Sequence, residues 1–294
     1  MFTVGADHGH SFYNSKRHRK ETERVGHIYY ADLKSQALYF QNTTLFNEAS
    51  LSISFGARYE ITDFGGNNTV DRNVLGFVNT WDSTELAIYS KQTSNDAFNL
   101  GFEKEINKFV SIYGNYAESF RVPNIDERIK ATTSGSFELK DQTSDSFDVG
   151  FILSNTNYNL NASYYQIKTL NEIQYNQSVN TNLDPIEREG VDLMFEYQID
   201  NKQKLMASFN YVNAEFTSGT LTPGTGGDDF CFYDNTTYCS NSSTWKNLMG
   251  GGTTYDLTGN KVPLVSPISY SINYANEIID NTSLNIIMKY FAVI

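Results

Sequence analysis

The sequence contains long segments in which apolar and polar residues alternate, and this pattern restricts the fold more than any other feature. Within residues 51–61, every second residue from Leu51 to Ile61 is apolar, whereas Arg58 and Glu60 occupy intervening positions. Successive side chains of a β-strand point to opposite faces, so this segment has one apolar and one polar face. The same alternation recurs in residues 98–103, 191–199, 205–211 and 268–274. With weaker candidates included, we expect about eleven strands, most near the ~9–11 residues that a tilted membrane strand requires.

The connections between the predicted strands alternate between short and long. The long ones cover residues 9–35, 62–96, 121–142, 171–187 and 217–261. Outer-membrane barrels have short periplasmic turns and long extracellular loops, which is the arrangement predicted here. A soluble β-sandwich also alternates apolar and polar residues, but its strands are usually nearer ~5–6 residues. The sequence therefore favours an all-β, antiparallel transmembrane β-barrel, with the soluble sandwich as the alternative.

Composition and charge argue against several other classes of protein. No segment approaches the ~20 consecutive apolar residues of a membrane helix, and the 20 Tyr and 20 Phe residues suit β-strands. The net charge of −12 and the lack of a basic stripe make nucleic acid a poor partner. The sequence has no metalloprotease, serine-hydrolase or phosphate-loop motif, so we predict no enzyme activity, metal or cofactor. His8 and His10 share a predicted strand face, and we interpret them as solvated residues near a loop.

Four short motifs follow one another along the chain. The first has the form Phe-Arg-x-Pro-Asn-x-x-Glu and consists of Phe120, Arg121, Pro123, Asn124 and Glu127. The others lie at residues 139–150, at residues 182–193, which include Gly190, and at residues 259–267. Each motif alone is weakly specific, but their order and spacing resemble those in the barrel of TonB-dependent outer-membrane receptors. The resemblance covers most of the chain and is closest over residues 97–274.

This resemblance implies a bacterial outer-membrane location and active uptake of a scarce nutrient, such as a siderophore or cobalamin. It implies outer-membrane lipid, a small-molecule ligand and the TonB complex as partners, the last through a missing N-terminal region. We expect residues 1–294 to be a fragment of one barrel domain, with about 11 of an implied ~22 strands and without the plug domain or the last strands. A passive porin-like channel is the main alternative function, and a soluble β-rich binding protein is a further one.

The polar residues of the first motif permit two interpretations. Arg121, Asn124 and Glu127 could contact a plug or a ligand at the rim of the lumen. They could instead anchor the loop, with the motif proline fixing the turn and Arg121 paired with a carboxylate. We favour the structural role, and we extend it to Phe120 and Gly190.

The long connections supply the candidate ligand-binding residues, because aromatic side chains with a few polar partners are typical of small-molecule sites. The candidates are Trp81, Phe232, Tyr233 and Trp245, and Phe64 and Tyr255 belong to the same aromatic group. Cys231 and Cys239, the only cysteines, both lie in the longest connection. Because an exported loop lies in an oxidising compartment, we expect a disulfide between them.

Overall fold

The computed structural model describes residues 1–18, 25–70, 84–129, 139–176, 179–221, 255–279 and 282–292. Its strands are β1 Phe2–His18, β2 Val25–Phe46, β3 Leu51–Val70, β4 Thr84–Asn107, β5 Val110–Arg121, β6 Gln142–Ser154, β7 Tyr158–Leu170, β8 Ile173–Asn176, β9 Val179–Asn182, β10 Ile186–Gln198, β11 Gln203–Phe216, β12 Thr220–Leu221, β13 Tyr255–Asp256, β14 Ile268–Ile279 and β15 Thr282–Phe291. The helical elements are a 3-10 turn, Asn47–Ala49, and the helix α1, Ile125–Ile129. Among these described residues, no helix has the length and apolar character needed to cross a membrane.

Eleven of the strands form a single antiparallel sheet, in the order β1-β2-β3-β4-β5-β6-β7-β10-β11-β14-β15. Neighbours in the sheet follow one another along the chain, and the two-stranded pairs β8–β9 and β12–β13 are inserted before β10 and β14. Short turns such as Asn47–Ala49 join the strands at one end, the turn end. The longer connections lie at the other end, the loop end. The predicted antiparallel architecture of about eleven long strands is confirmed.

The sheet has two chemically different faces. Residues directly opposite each other on neighbouring antiparallel strands share a face, so a face can be followed across the whole sheet. The row of partners that starts at Ile53 continues through Phe102, Gly114, Val149, Tyr164, Val191, Tyr211 and Ile268. We call this apolar surface the outer face. Arg58 and Glu60 lie on the opposite, inner face, as the alternation in residues 51–61 predicts.

The inner face is the one that the chain's own connections cover. Phe64 lies on the same face of β3 as Arg58, and Ile125 of α1 packs against a buried cluster of Phe64, Tyr29 and Ala31. On the outer face, large apolar side chains are exposed across the sheet, among them Leu38, Leu100, Phe102, Val149, Leu193 and Ile272. A continuous exposed apolar band is what the lipid-facing surface of a barrel requires.

The apolar band crosses the hydrogen-bonded ladder obliquely. Phe55 lies near the centre of the band in β3, but the row of partners that begins there ends on polar side chains. That row continues through Leu100, Tyr116, Phe147, Gln166, Glu189 and Asn213. The band therefore moves towards the turn end by about one residue from each strand to the next. With a rise of ~3.3 Å per residue and a spacing of ~4.8 Å between strands, this shift means that the strands are tilted by about 35° from the barrel axis. Barrel closure requires a tilt of this size.

The first four strands extend well beyond the apolar band, and the prediction that residues 9–35 and 62–96 are long connections is wrong. β1 and β2 remain paired as far as His18, and β3 and β4 as far as Val70. The ladder continues because its backbone hydrogen bonds do not depend on side-chain polarity. Strict alternation ends there because a strand outside the membrane has no lipid on either face. Apolar residues are then not required at every second position, so the sequence pattern does not reveal the strand.

Candidate functional site

The first motif forms the entrance to α1. The Asn124 backbone N–H donates to Glu127 Oε2 at 2.9 Å, and the Glu127 backbone N–H donates to Asn124 Oδ1 at 2.8 Å. This reciprocal pair is a capping box, which satisfies two backbone donors that the first turn of a helix leaves unpaired. Pro123 is fully buried just before it, and its fixed φ suits the turn out of β5. The motif spacing therefore matches the geometry of a helix start.

Arg121 ends β5 on the inner face and forms an ion pair with Glu127. Its side chain is 45% exposed, so part of a guanidinium with five N–H donors faces the interior of the barrel. Phe120, one residue earlier, lies on the outer face opposite Thr143. The contacts of Arg121 are those of a loop anchor, and its exposure leaves surface for a second, anionic partner.

Arg128, which the sequence did not single out, is fully buried beneath the same turn. Its side chain is 1% exposed, and its guanidinium carbon lies 5.0 Å from the centre of the Phe64 ring. Nη1 donates to the Leu139 backbone oxygen at 3.2 Å, and Nη2 donates to Asp141 Oδ1 at 3.4 Å. A buried cation requires such partners to offset its lost hydration. A helix this short shows no apolar periodicity, so the sequence does not predict which of its residues is buried. The only sequence signal for Arg128 is that it follows Glu127 of the first motif.

The aromatic residues at the loop end have different environments. Phe64, expected among the ligand-contacting rings, is buried beneath Arg128 and Ile125. That expectation is wrong because β3 continues through position 64 and turns its ring to the inner face. Tyr255, from the same predicted group, is exposed at the start of β13.

The hairpin β8–β9 docks onto the segment that contains α1. Asn180 is buried, and its Nδ2 donates to the Glu127 backbone oxygen at 2.8 Å. Asn182 accepts from the Lys140 backbone N–H at 2.8 Å and donates to the Asn171 backbone oxygen at 2.7 Å. One side-chain amide can satisfy a backbone donor and a backbone acceptor together, so Asn182 joins the two connections. We call residues 122–129, 139–141, 171–176 and 179–182 the lumen cap.

The lumen cap crosses the inner face of the sheet. It begins at the end of β5, yet α1 contacts β2, which lies three strands away in the sheet. The buried contact with Phe64 places α1 against β3 as well. A connection that reaches back over the inner face in this way narrows the opening at the loop end.

Residues 257–265 form a second ordered segment at the loop end, and it lies alongside β11. Val262 lies in a buried cluster with Ile186, Ala214 and Phe216, and its backbone N–H donates to the Ala214 oxygen at 3.0 Å. Gly259 has a φ of 78°, a left-handed conformation that favours glycine and starts the fourth motif. The segment therefore extends the wall of the barrel next to β11 at the loop end.

The inner wall at the level of the apolar band carries a charged network. Arg58 Nη1 donates to Asp7 Oδ2 at 2.7 Å, and Arg58 Nη2 donates to Glu60 Oε2 at 2.6 Å. The guanidinium carbon lies 6.0 Å from the centre of the Tyr39 ring. Charged side chains at membrane depth face a polar interior rather than lipid, because their transfer into hydrocarbon is costly. The inner face is therefore suited to a water-filled or protein-filled lumen.

Gly190 lies on the inner face directly opposite Tyr165. A Cβ at position 190 would meet Tyr165 Cζ at 2.6 Å and would also contact the Tyr211 backbone oxygen. Tyr113 covers Gly150 in the same way, with 2.5 Å between its Cζ and a Cβ built on that glycine. An aromatic ring over a cross-strand glycine packs the sheet where a side chain would not fit. This packing accounts for the glycine of the third motif.

The remaining candidate residues are not located by the structure. Trp81, Phe232, Tyr233, Trp245, Cys231 and Cys239 lie outside the described residues. Within the described ranges, no group of three His, Cys, Asp or Glu side chains is arranged to hold a metal ion.

A family model described as "TonB dependent receptor-like, beta-barrel" matches residues 4–285. The chain belongs to this family. TonB-dependent receptors are transporters of the bacterial outer membrane and are not enzymes, so the chain is an outer-membrane protein. The predicted family, the antiparallel membrane β-barrel fold and the outer-membrane location are confirmed.

Solved structures of such receptors share the fold. The ferric-catecholate import receptor Fiu of E. coli K12 superimposes with a TM-score of 0.69 at 12% identity, covering 99% of this chain and 41% of Fiu. The ferric yersiniabactin uptake receptor FyuA of Yersinia pestis superimposes with a TM-score of 0.65 at 12% identity, covering 98% of this chain and 38% of FyuA. The siderophore receptor PiuA of Acinetobacter baumannii superimposes with a TM-score of 0.61 at 14% identity, covering 91% of this chain and 34% of PiuA. The chain thus spans less than half the length of each. No curated protein matches it in sequence.

Proposed function

We propose that this chain forms part of a receptor barrel that takes up a scarce nutrient across the outer membrane, with a siderophore, cobalamin or a similar small molecule as the ligand. The observation that carries the proposal is the lumen cap. A passive porin depends on an open, water-filled lumen. Here the lumen cap instead crosses the inner face, and Ile125 of its helix packs against the buried cluster of Phe64, Tyr29 and Ala31. A partly covered entrance suits a barrel that binds a ligand before it moves the ligand inwards.

The lumen cap offers the polar part of a ligand site. Asn124 and Lys140 are exposed on it, and Arg121 is exposed directly beside it at the end of β5. A guanidinium and an ammonium group suit the anionic oxygens that chelate ferric iron in many siderophores, because charge-assisted hydrogen bonds are the strong ones. We propose that the aromatic residues Trp81, Phe232, Tyr233 and Trp245 of the long connections complete the site with apolar contact area.

The energy for uptake is proposed to come from the TonB complex, as in the rest of the family. The test measures accumulation of radiolabelled ferric siderophores and cobalamin by cells that produce the complete receptor, with and without TonB. We expect saturable uptake of one ligand only when receptor and TonB are both present. Uptake that rises linearly with concentration and does not need TonB would instead identify a passive channel.

Substitutions locate the ligand site within this proposal. Arg121→Ala should raise the half-saturating ligand concentration by about tenfold, the equivalent of one lost charge-assisted hydrogen bond. Asp126→Ala, at an exposed position of the neighbouring helix α1, is the control and should leave this concentration unchanged. Removal of residues 225–252 should weaken uptake while the barrel still inserts. Unchanged uptake in both test variants would place ligand recognition outside this chain.

A further inference from the structure

The barrel wall is interrupted beside the part of β11 that lies nearest the loop end. The ladder between β11 and β14 ends at Tyr211, before β11 itself ends. Beyond it, the Val212 backbone N–H donates to the Pro267 oxygen at 2.9 Å, and the Val262 N–H donates to the Ala214 oxygen at 3.0 Å. A step of two residues along β11 therefore corresponds to a step of five along the opposite segment. The chain between Val262 and Pro267 thus bows away from β11.

The prolines of the fourth motif and one leucine account for this interruption. Pro263 and Pro267 have no backbone N–H, so neither donates to a ladder. Leu264 has a φ of 64°, a left-handed conformation that is unfavourable for a residue with a large side chain. Its side chain is 88% exposed, so its own packing does not offset the strain. Strained residues of this kind cluster at functional sites, which directs attention to what lies beside Leu264.

The interruption leaves a cavity of about 280 Å³, which we call the wall cavity. It is lined by residues of β11 on one side and of the fourth motif on the other, namely residues 211–214, residues 261–265 and Pro267. Tyr211 belongs to the outer face and Val212 to the inner face, so the cavity lies within the wall and not on one of its faces. The next outward residue after Tyr211 is the polar Asn213. The wall cavity therefore lies where the apolar band ends.

We propose that the wall cavity binds the alkyl group of a small, single-chain amphiphile that reaches it from the outer leaflet. Its lining is mostly apolar and continues from the lipid-facing band, so an apolar group dissolved in the membrane is what meets its entrance. Its volume is just below the ~300–1,000 Å³ of pockets for drug-sized ligands, which suits one short chain rather than a lipid with two chains. Leu264 lies at the rim and covers the bound chain.

The charges at the rim define the headgroup. Lys261, the cation of the lining, donates from Nζ to Glu215 Oε1 at 2.6 Å and to the Asn213 side-chain oxygen. Glu189 lies directly opposite Asn213 in the ladder and adds a second carboxylate. The ammonium group is thus already paired, and an anionic headgroup would meet an excess of negative charge. The ligand class is an uncharged or cationic amphiphile, such as an alkyl alcohol or an alkylammonium ion.

The test is photolabelling of the complete receptor in lipid vesicles with a diazirine derivative of octanol, followed by mass spectrometry to locate the label. We expect saturable labelling within residues 211–214 and 261–267, which an excess of octanol or octylammonium removes. Octanoate should compete about tenfold more weakly, because its carboxylate meets Glu189 and Glu215. Labelling that does not saturate and is spread over the apolar band would show solvation by the membrane alone and would overturn the proposal.

Two variants act on the cavity itself. Val265→Trp fills it, and Leu264→Asn removes the apolar rim but keeps a residue that tolerates a left-handed backbone. Each should reduce the saturable labelling about tenfold, as expected for the loss of one apolar contact surface. Ile106→Asn removes an exposed apolar side chain at the turn end; it is the control and should leave the labelling unchanged.

Folding of every variant is checked by its heat-dependent shift in electrophoretic mobility. Unchanged labelling in both folded test variants, or an equal loss in the control, would contradict the assignment of the ligand to the wall cavity. A phospholipid that remains bound to the purified receptor and is lost in Val265→Trp would overturn the proposal as well, because a lipid with two chains would then be the occupant.

Discussion

Replacement of Arg128 by alanine should release the lumen cap from the inner wall while the barrel stays folded. Arg128 is 1% exposed and joins three parts of the cap region: α1, the Leu139 carbonyl and the Asp141 carboxylate. Its removal leaves a carboxylate that is 9% exposed, and it also uncovers the Phe64 ring. Breaking a buried ion pair by removing one partner typically costs about 3–5 kcal/mol.

The assay is hydrogen exchange of the cap amides in the complete receptor. A loss of about 3 kcal/mol in the local opening free energy corresponds to exchange that is about a hundredfold faster, because each 1.4 kcal/mol is a factor of ten. The effect should be confined to residues 125–129, 139–141 and 179–182. Arg121→Ala is the matched comparison, because that arginine is 45% exposed and its ion pair should contribute no more than about 1 kcal/mol.

Removing the partner carboxylate separates this account from a simple packing defect. Asp141→Asn in the Arg128→Ala background should restore part of the lost protection, because the uncompensated buried charge is gone. If Arg128→Ala leaves exchange of the cap amides unchanged in a folded barrel, then the buried ion pair does not hold the cap and the reasoning fails.

Three further predictions concern the glycine of the third motif, a turn outside the membrane, and the cysteine pair. Gly190→Ala should destabilise the barrel by about 1–3 kcal/mol through overpacking, which would be measured as a lower melting temperature. Gly65→Ala is the control and should be tolerated, because a Cβ at position 65 would meet nothing within 4 Å. Equal melting temperatures for the two variants would refute the packing account. The pKa of Asp256 is lowered by hydrogen bonds from the hydroxyl and then the backbone N–H of a threonine two residues later. These bonds should persist above the unfolded carboxyl pKa of ~3.9 and be lost as the pH falls through the depressed value, which an NMR titration would show. Cys231 and Cys239 should resist alkylation until they are reduced, and their disulfide should add at most ~2–3 kcal/mol of stability; two free thiols in the exported protein would contradict it.

The sequence predicts the part of the fold that meets lipid. Alternation around Phe55 and Tyr59 is imposed by hydrocarbon on one side and a polar lumen on the other, so it assigns both strand and face correctly. Where β2 and β3 leave the membrane, that asymmetry ends. The segments around Tyr30 and Phe64 therefore lack the strict alternation of a membrane strand, and their sequence resembles that of a loop. Both residues nevertheless lie in paired strands.

The lumen cap is harder to predict because its contacts join residues that are distant in the chain. The capping box was detectable, since Asn124 and Glu127 are three residues apart and form a local motif. The contact between Asn180 and Glu127 spans 53 residues, and the ring beneath Arg128 comes from a strand two positions away in the sheet. Local propensity contains no information about such contacts, which form only when the sheet brings the inner faces of separate strands together.

The account depends most directly on the two faces of the sheet, and site-directed spin labelling along residues 51–61 of the complete receptor in lipid vesicles tests them. Single nitroxide labels at each position are compared for collisions with oxygen, which concentrates in hydrocarbon, and with a water-soluble nickel chelate. Labels at Ile53, Phe55 and Ala57 should be oxygen-accessible and protected from the chelate, and labels at Ser54 and Arg58 should not show the oxygen-accessible pattern. The predicted result is an accessibility profile with a period of two residues. A profile without that period, or one that places Arg58 in hydrocarbon, would contradict the account.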